Sequence, residues 1–178
     1  MLPTGLIYIE VSDLVLASWL QHFIDNRSGE GIEVNYLALK ADSVFSIQYI
    51  HARCCSLLRL AQQEKLLDTN KIASESIPWL NASGQLCLNH QAERRLINNL
   101  VKVVDELEPA ITRPLKWEGA ALSLLKAFEN FWSACRICGT STTPTEVIMA
   151  RVGLIMTTRT VLKFLLEEKL GIPACSEL

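Results

Sequence analysis

The chain has 178 residues, which is enough for a domain with a sizeable hydrophobic core. Hydrophobic residues make up 49% of it, and with only 8 glycines and 6 prolines the composition excludes a disordered or low-complexity protein. The net charge of −2 argues against a dedicated non-specific nucleic-acid binder, because such proteins are usually basic.

The charge is unevenly distributed along the chain. Residues 1–40 contain 5 acids and 2 bases, whereas residues 41–178 contain 14 acids and 15 bases. We therefore expect an acidic N-terminal extension over residues 1–40, packed on a body formed by residues 41–178. Any contact with a nucleic acid would have to come from local clusters of positive charge.

Targeting signals and disulfides are not expected. The apolar N-terminus lacks a basic region and contains Glu10 and Asp13, so it does not resemble a secretion signal. No uncharged apolar run reaches eighteen residues, so no membrane span is expected. Six cysteines are present, and neighbours such as Cys54 and Cys55 are poor disulfide partners on a helix. These features predict a cytoplasmic chain with reduced, mostly buried thiols.

The first 40 residues predict one helix between less regular segments. Residues 6–11 are consistent with a short strand, and Ser12 can cap a helix that runs to about Ile24. The turn-rich residues 26–31 predict a break. Residues 32–39 fit either a strand or a helix.

The rest of the chain predicts an all-α helical bundle. Apolar residues recur at helical spacing in four long stretches, near residues 43–66, 91–111, 116–138 and 144–170. Residues 68–89 read as a connector held to the body by Trp79, Leu80, Leu86 and Leu88. Thr143 can cap the last helix, with Pro144 at its first position and Glu146 completing a capping box. Gly171 is expected to end that helix.

The segment from Gln48 to Arg59 contains the first candidate binding residues. At 3.6 residues per turn, Tyr49 and Arg53 lie one turn apart on the same face of a helix. A tyrosine ring can stack on an exposed nucleobase, and a guanidinium can donate to a base edge or a phosphate. The same pair can equally cover apolar surface while its polar ends stay hydrated.

This segment resembles the opening helix of the anticodon-binding domain at the C-terminus of arginyl-tRNA synthetases, often called the DALR domain. That family shows the pattern Q-Y-x-H-A-R-x-x-S-I/L, and residues 48–57 follow it closely. Residues 125–137 resemble the family's L-x-x-F-x-x-F-Y-x-x-C-R-V segment. Residues 151–162 and 170–172 resemble its final helix and exit. The resemblance runs in order over residues 43–178 and implies a bundle of the class Ia synthetase anticodon-binding type.

The resemblance implies which residues would bind RNA. Tyr49 and Trp132 would stack on bases, Arg53 would contact a base edge or phosphate, and Leu178 would close the pocket. Weaker phosphate candidates are Arg59, Arg136 and Arg159. For Trp132, base stacking and core packing stay open as alternatives, whereas core packing is favoured for its neighbours Phe128 and Phe131. His51 is expected to be packed and hydrogen-bonded.

The C-terminal tail departs from the family pattern A-P-E-R-M. Here the last five residues are Ala174, Cys175, Ser176, Glu177 and Leu178. Leu178 keeps the apolar end, but Glu177 stands where the family has an arginine. A carboxylate near RNA phosphates should weaken binding. We therefore expect weaker RNA binding at the tail than the family pattern implies.

The sequence predicts neither a metal site nor a catalytic centre. Cys135-x-x-Cys138 has no second ligand pair, so burial of Cys135 is the better interpretation. The H-I-G-H and K-M-S-K-S signatures of class I synthetases are missing, as are Walker-type and G-x-G-x-x-G loops. We expect no cofactor and no enzymatic activity of this chain's own.

Two functional hypotheses follow. The first is a stand-alone, non-catalytic domain that binds tRNA, with tRNA-Arg as a candidate, or another structured RNA. The second is a protein-interaction module that has kept the fold but lost RNA binding, with residues 1–40 offering a surface for a protein partner. Neither hypothesis involves a membrane.

Overall fold

The computed structural model describes residues 10–25, 41–66, 76–107, 117–138 and 143–178. These ranges contain five α-helices, and the predicted all-α class is confirmed. The last helix continues into a π-helical turn, Leu165–Lys169. The helices are α1 (Asp13–Asp25), α2 (Ala41–Gln63), α3 (Gln91–Leu107), α4 (Trp117–Ala134) and α5 (Thr145–Phe164).

The observed helix boundaries lie close to the predicted ones. The predicted helix that starts at Ser12 is α1, and the hydroxyl of Ser12 accepts from the backbone N–H of Val15 at 3.4 Å. The helix predicted to reach residue 138 ends at Ala134 instead. The expectations for residues 6–9, 26–40, 68–75 and 108–116 lie outside the described residues. Within the described ranges, no helix is long and apolar enough to cross a membrane.

Helix α5 forms the centre of the bundle. It packs against α1, α2 and α3, while α4 packs along α3 and α2. Apolar side chains around its whole circumference are buried, as expected for a helix enclosed by others. Its buried Thr157 and Thr158 hydroxyls donate to carbonyl oxygens one turn earlier, so these polar groups are satisfied.

The connector before α3 is held between α1 and α5, as predicted from its apolar residues. Trp79 is buried, and its Nε1 donates to Oε1 of Gln21 on α1 at 3.0 Å. A Cβ added to Gly153 of α5 would lie 2.7 Å from Cη2 of Trp79. Only glycine therefore allows α5 to approach the Trp79 ring this closely.

The two ends of α5 differ in how well the sequence predicted them. The capping prediction for Thr143 is wrong, because Pro144 occupies the N-cap position and no side chain caps this end. A proline ring has no hydroxyl to accept from the first amides. The prediction for Gly171 is confirmed, because it adopts φ +65 two residues after Lys169, where the π-helical turn ends. The N–H of Ile172 then donates to the carbonyl of Leu166, which closes the end.

A buried ion pair ties three helices together. The carboxylate of Glu93 on α3 accepts from Nε of Arg151 on α5 at 2.7 Å, and the Glu93 side chain is only 1% exposed. The other carboxylate oxygen of Glu93 accepts from the backbone N–H of His90, the residue just before α3. The Glu93 side chain thereby caps the start of its own helix. Nη1 of Arg151 donates to the carbonyl of Arg136, just beyond the end of α4. One charged pair thus fixes α3, α5 and the exit from α4.

Replacing Glu93 by glutamine should strongly destabilise the fold. The variant leaves the guanidinium of Arg151 without its counter-charge in a largely buried site, which typically costs about 3–5 kcal/mol. Urea denaturation followed by circular dichroism measures the loss. The matched control is Lys163→Gln, which breaks the exposed pair with Glu167 and should cost less than about 1 kcal/mol. Equal losses for the two variants would contradict the proposed role of the Glu93 pair.

Candidate nucleic-acid interface

Three side chains form an exposed stripe along α2. Phe45, Tyr49 and Arg53 are spaced at four residues, so they lie one above another on the same face. Phe45 is 59% exposed and Tyr49 is 47% exposed. Their rings are nearly parallel, with centroids 6.4 Å apart and an interplanar angle of 22°. Tyr49 thus has an ordered but accessible ring, as stacking on a base requires.

The stripe continues across to α4 through a cation–π contact. The guanidinium carbon of Arg53 lies 5.3 Å from the ring centroid of Trp132. The structure therefore brings together three of the predicted RNA-binding residues, Tyr49, Arg53 and Trp132. We call Phe45, Tyr49, Arg53 and Trp132 the stacking stripe. Its flat groups are the rings of Phe45 and Tyr49 and the guanidinium of Arg53, which lies over the indole ring of Trp132.

The aromatic residues of α4 divide between core and surface. Phe128 and Phe131 are fully buried, so the prediction that they fill the core is confirmed. Trp132 is only half-buried and packs at the edge of the core. Because its ring is in contact with Arg53, it can support the guanidinium from below while a base stacks on the outer side. A part in base binding for Trp132 remains a prediction.

The C-terminal tail lies along the neighbouring face of α2. Nε2 of Gln48 donates to the carbonyl of Pro173 at 2.9 Å, and Nδ1 of His51 contacts the carbonyl of Cys175 at 2.8 Å. Further along, Nη2 of Arg59 lies 3.4 Å from the carbonyl of Ser176. The tail therefore runs beside α2 in the same direction as the helix.

Arg59 and Leu178 lie at the far end of this tail contact. Nη1 of Arg59 forms an ion pair with the Glu177 carboxylate at 3.5 Å, so the arginine is already partly neutralised. A helix rises about 1.5 Å per residue, which places Arg59 about 15 Å along α2 from Tyr49. Leu178 directly follows Glu177 and is 64% exposed. The part of Leu178 in closing the pocket remains a prediction.

The last two phosphate candidates have different surroundings. The side chain of Arg136 is exposed beyond the end of α4, while its carbonyl accepts from Arg151. Arg159 is partly buried on α5, close enough to α2 for its positive charge to favour the neutral form of His51. Arg136 is therefore accessible to a ligand, whereas Arg159 is partly covered.

His51 is packed and hydrogen-bonded, as predicted, but one ring nitrogen has no partner. A carbonyl can only accept, so Nδ1 carries the proton that it donates to Cys175. Nε2 is buried without a hydrogen-bond partner among the described residues. Burial lowers the pKa of His51 below its ordinary value of 6.5, and the positive charges of Arg159 and Lys163 act in the same direction. The hydrogen bond to Cys175 and the charge of Glu167 oppose this shift.

The buried His51 should make folding stability fall on acidification. The unfolded chain takes up a proton below about pH 6.5, whereas the folded chain resists it until its lower pKa is reached. The stabilisation is thus complete above pH 6.5 and is lost progressively below it. Urea midpoints at pH 7.5 and 5.5 should therefore fall more for the wild type than for His51→Gln. An equal fall for the two proteins would contradict this role of His51.

The cysteines form no metal site in the described part of the chain. No group of three or more histidine, cysteine, aspartate or glutamate side chains is arranged to hold a metal there. Cys135 is buried, as predicted, and burial raises its pKa to about 11, with the nearby Glu93 acting in the same direction. All six cysteines are free thiols.

Phe45 is the member of the stacking stripe that the sequence analysis missed. Its position four residues before Tyr49 is the signal that could have found it, because that spacing places the two rings on one face. A phenylalanine is more often found in a core, and only the structure shows that this one is exposed.

Comparison with known proteins identifies related sequences. The family described as DALR anticodon binding domain matches residues 47–178. An arginine–tRNA ligase from Synechococcus is 33% identical over 134 residues, covering 74% of this chain and 21% of that protein. The ligase from Ruminiclostridium cellulolyticum is 29% identical over 155 residues, covering 83% and 25%. The ligase from Heliobacterium modesticaldum is 33% identical over 130 residues, covering 70% and 21%.

The chain spans only about a fifth to a quarter of the length of these curated relatives. The similarity therefore concerns one part of each ligase. No solved structure matches this chain significantly.

Proposed function

Because the chain belongs to the DALR anticodon-binding domain family, we propose that it binds the anticodon loop of a tRNA or a similar loop of another structured RNA. A tRNA for arginine is the first candidate, since the curated relatives are arginine–tRNA ligases. The proposal concerns binding alone, because the matched region is a small part of each ligase.

The stacking stripe is the observation that carries this proposal. Tyr49 and Phe45 are exposed aromatic rings on a rigid helix, and the Trp132 ring holds the Arg53 guanidinium beside them. Flat aromatic groups and arginine planes are the surfaces on which unpaired bases stack. The stripe contains a single cation, so its affinity would come mainly from base stacking.

A protein-interaction module remains the second candidate because of two features. Glu177 forms an ion pair with Arg59 and partly neutralises a cation that a phosphate would need. Three apolar side chains are also exposed at the start of α1 and just before it, those of Val11, Leu14 and Val15. Under this hypothesis a protein partner would bind α1, which belongs to the acidic N-terminal extension. RNA binding that is absent even at low salt would favour this hypothesis over the first.

Tyr49→Ala should weaken binding of a tRNA-Arg transcript by about 1–3 kcal/mol, because it removes a stacking surface. The dependence on salt should stay unchanged, since no charge is lost. Arg53→Ala should cost a similar amount, and it should also make the salt dependence shallower by about one unit of slope if the guanidinium contacts a phosphate. Filter binding from 25 to 200 mM KCl measures both quantities.

Conservative variants provide the controls for this experiment. Tyr49→Phe keeps the ring and should keep most of the affinity. Arg53→Lys keeps the charge but loses the planar group, so it should retain the salt slope while losing affinity. Tight binding that ignores both alanine substitutions would preserve RNA binding but reject the stacking stripe as its site.

We further propose that this chain does not activate arginine. Holding ATP requires backbone donors and cations arranged around its phosphates, and the sequence lacks the synthetase motifs that supply them. ATP–pyrophosphate exchange with arginine should stay at the level of a protein-free blank. Exchange above that blank, abolished by mutating a residue of this chain, would overturn the proposal.

A further inference from the structure

A second polar surface lies on the side of α4 that faces α3. The hydroxyl of Ser123 on α4 donates to Oδ1 of Asn99 on α3 at 2.8 Å, which places these two residues side by side. Nδ2 of Asn99 in turn donates to the carbonyl of Arg95. The side-chain bond between the helices therefore marks where an exposed stripe of α3 meets an exposed stripe of α4.

Three cations surround this bond. Arg95 and Lys102 lie one turn on either side of Asn99 on the same face of α3, and Lys126 lies one turn after Ser123 on α4. All three side chains are exposed. We call this surface the α3–α4 strip. Its members are Arg95, Asn99, Lys102, Ser123 and Lys126.

Within the described residues, no carboxylate lies within ion-pair distance of a cation of the strip. Among the described residues, the ion pairs involve Arg59, Arg151 and Lys163, and none involves a cation of the strip. Asp105 and Glu129 are the acids one turn beyond Lys102 and Lys126, and neither lies within ion-pair distance of them. Three exposed cations that form no ion pair with a described carboxylate thus lie together on this surface, although the protein has a net charge of −2.

The chemistry of the strip fits a phosphate backbone better than an acidic protein. Protein interfaces need an apolar or aromatic centre from which water is excluded. The large exposed hydrophobic side chains of the described residues lie on α1, on α2 and at the tail, and none lies on α3 or α4. Lysine, arginine and neutral polar side chains without apolar anchors are typical of contacts to nucleic-acid phosphates.

The position of the strip relates it to the stacking stripe. Trp132 faces α2 from one flank of α4, and Ser123 faces α3 from the other. Nine residues separate Ser123 from Trp132, which is about 14 Å along the axis of α4, and a helix with its side chains is about 10–12 Å wide. A single RNA hairpin can span a distance of this size. The stacking stripe offers flat groups for bases but only one cation. The strip supplies the positive charge that the stacking stripe lacks.

We propose that the α3–α4 strip binds the phosphate backbone of the same RNA whose loop bases stack on α2 and α4. This assignment rests on the proposed RNA-binding function. It gives the two surfaces separate tasks, since the stacking stripe would read unpaired bases and the strip would hold the sugar–phosphate chain without regard to sequence.

Charge-neutralising variants test the proposal with a tRNA-Arg transcript as the probe. Arg95→Gln, Lys102→Gln and Lys126→Gln should each make the plot of log affinity against log KCl shallower by about one unit. The triple variant should weaken binding at 50 mM KCl by at least about tenfold. Lys126→Arg retains the charge and should retain the slope. The matched control is Lys65→Gln, which removes an exposed cation outside the strip and should change little.

The possible outcomes separate this proposal from the proposed function. If the wild type binds and Tyr49→Ala weakens it, but the strip variants bind with an unchanged salt slope, the strip is rejected and RNA binding stands. If the wild type binds no RNA at 25 mM KCl, both proposals fail together. If the wild type binds poly-glutamate as tightly as RNA and the triple variant loses both, the strip belongs to an acidic protein partner, which also overturns the proposal.

Discussion

The ion pair between Glu93 and Arg151 sets the arrangement on which the candidate interface depends. Both side chains are largely buried, so each charge needs the other and also needs hydrogen bonds to its remaining polar atoms. Those bonds go to the start of α3, through the N–H of His90, and to the end of α4, through the carbonyl of Arg136. Since α4 carries Trp132 and Lys126, the pair indirectly positions residues of both proposed RNA-binding surfaces.

Helix α5 provides the second constraint. It is enclosed by α1, α2, α3 and the connector, and the close approach of Trp79 to Gly153 shows how little space remains around it. A rigid, fully packed centre leaves the outer faces of α2, α3 and α4 free to carry functional side chains. Stacking platforms benefit from this, because a ring that is already held in place loses little conformational freedom when a base binds.

The C-terminal tail packs along one face of α2. It follows α2 from Gln48 to Arg59, and its Glu177 forms an ion pair with Arg59. A phosphate could reach Arg59 only in competition with this carboxylate. The same tail also covers His51, whose Nδ1 donates to the carbonyl of Cys175. The tail is therefore part of the fold of this domain, and its last residues also influence the charge of the surface.

The sequence by itself determined the helices and the residues that share a face within each of them. This succeeds because helical periodicity is local, so Tyr49 and Arg53 had to lie one turn apart wherever α2 packed. The family resemblance added the order of the helices and the likeness to an anticodon-binding domain.

Only the tertiary structure decided which helix flanks meet. Arg53 and Trp132 are 79 positions apart in sequence, and their contact depends on how α2 and α4 pack. The same holds for Asn99 with Ser123 and for Glu177 with Arg59. Side-chain spacing within one segment contains no information on such pairs, because they follow from the packing of several helices around one core. For the same reason the exposure of Phe45 could not be read from its position alone.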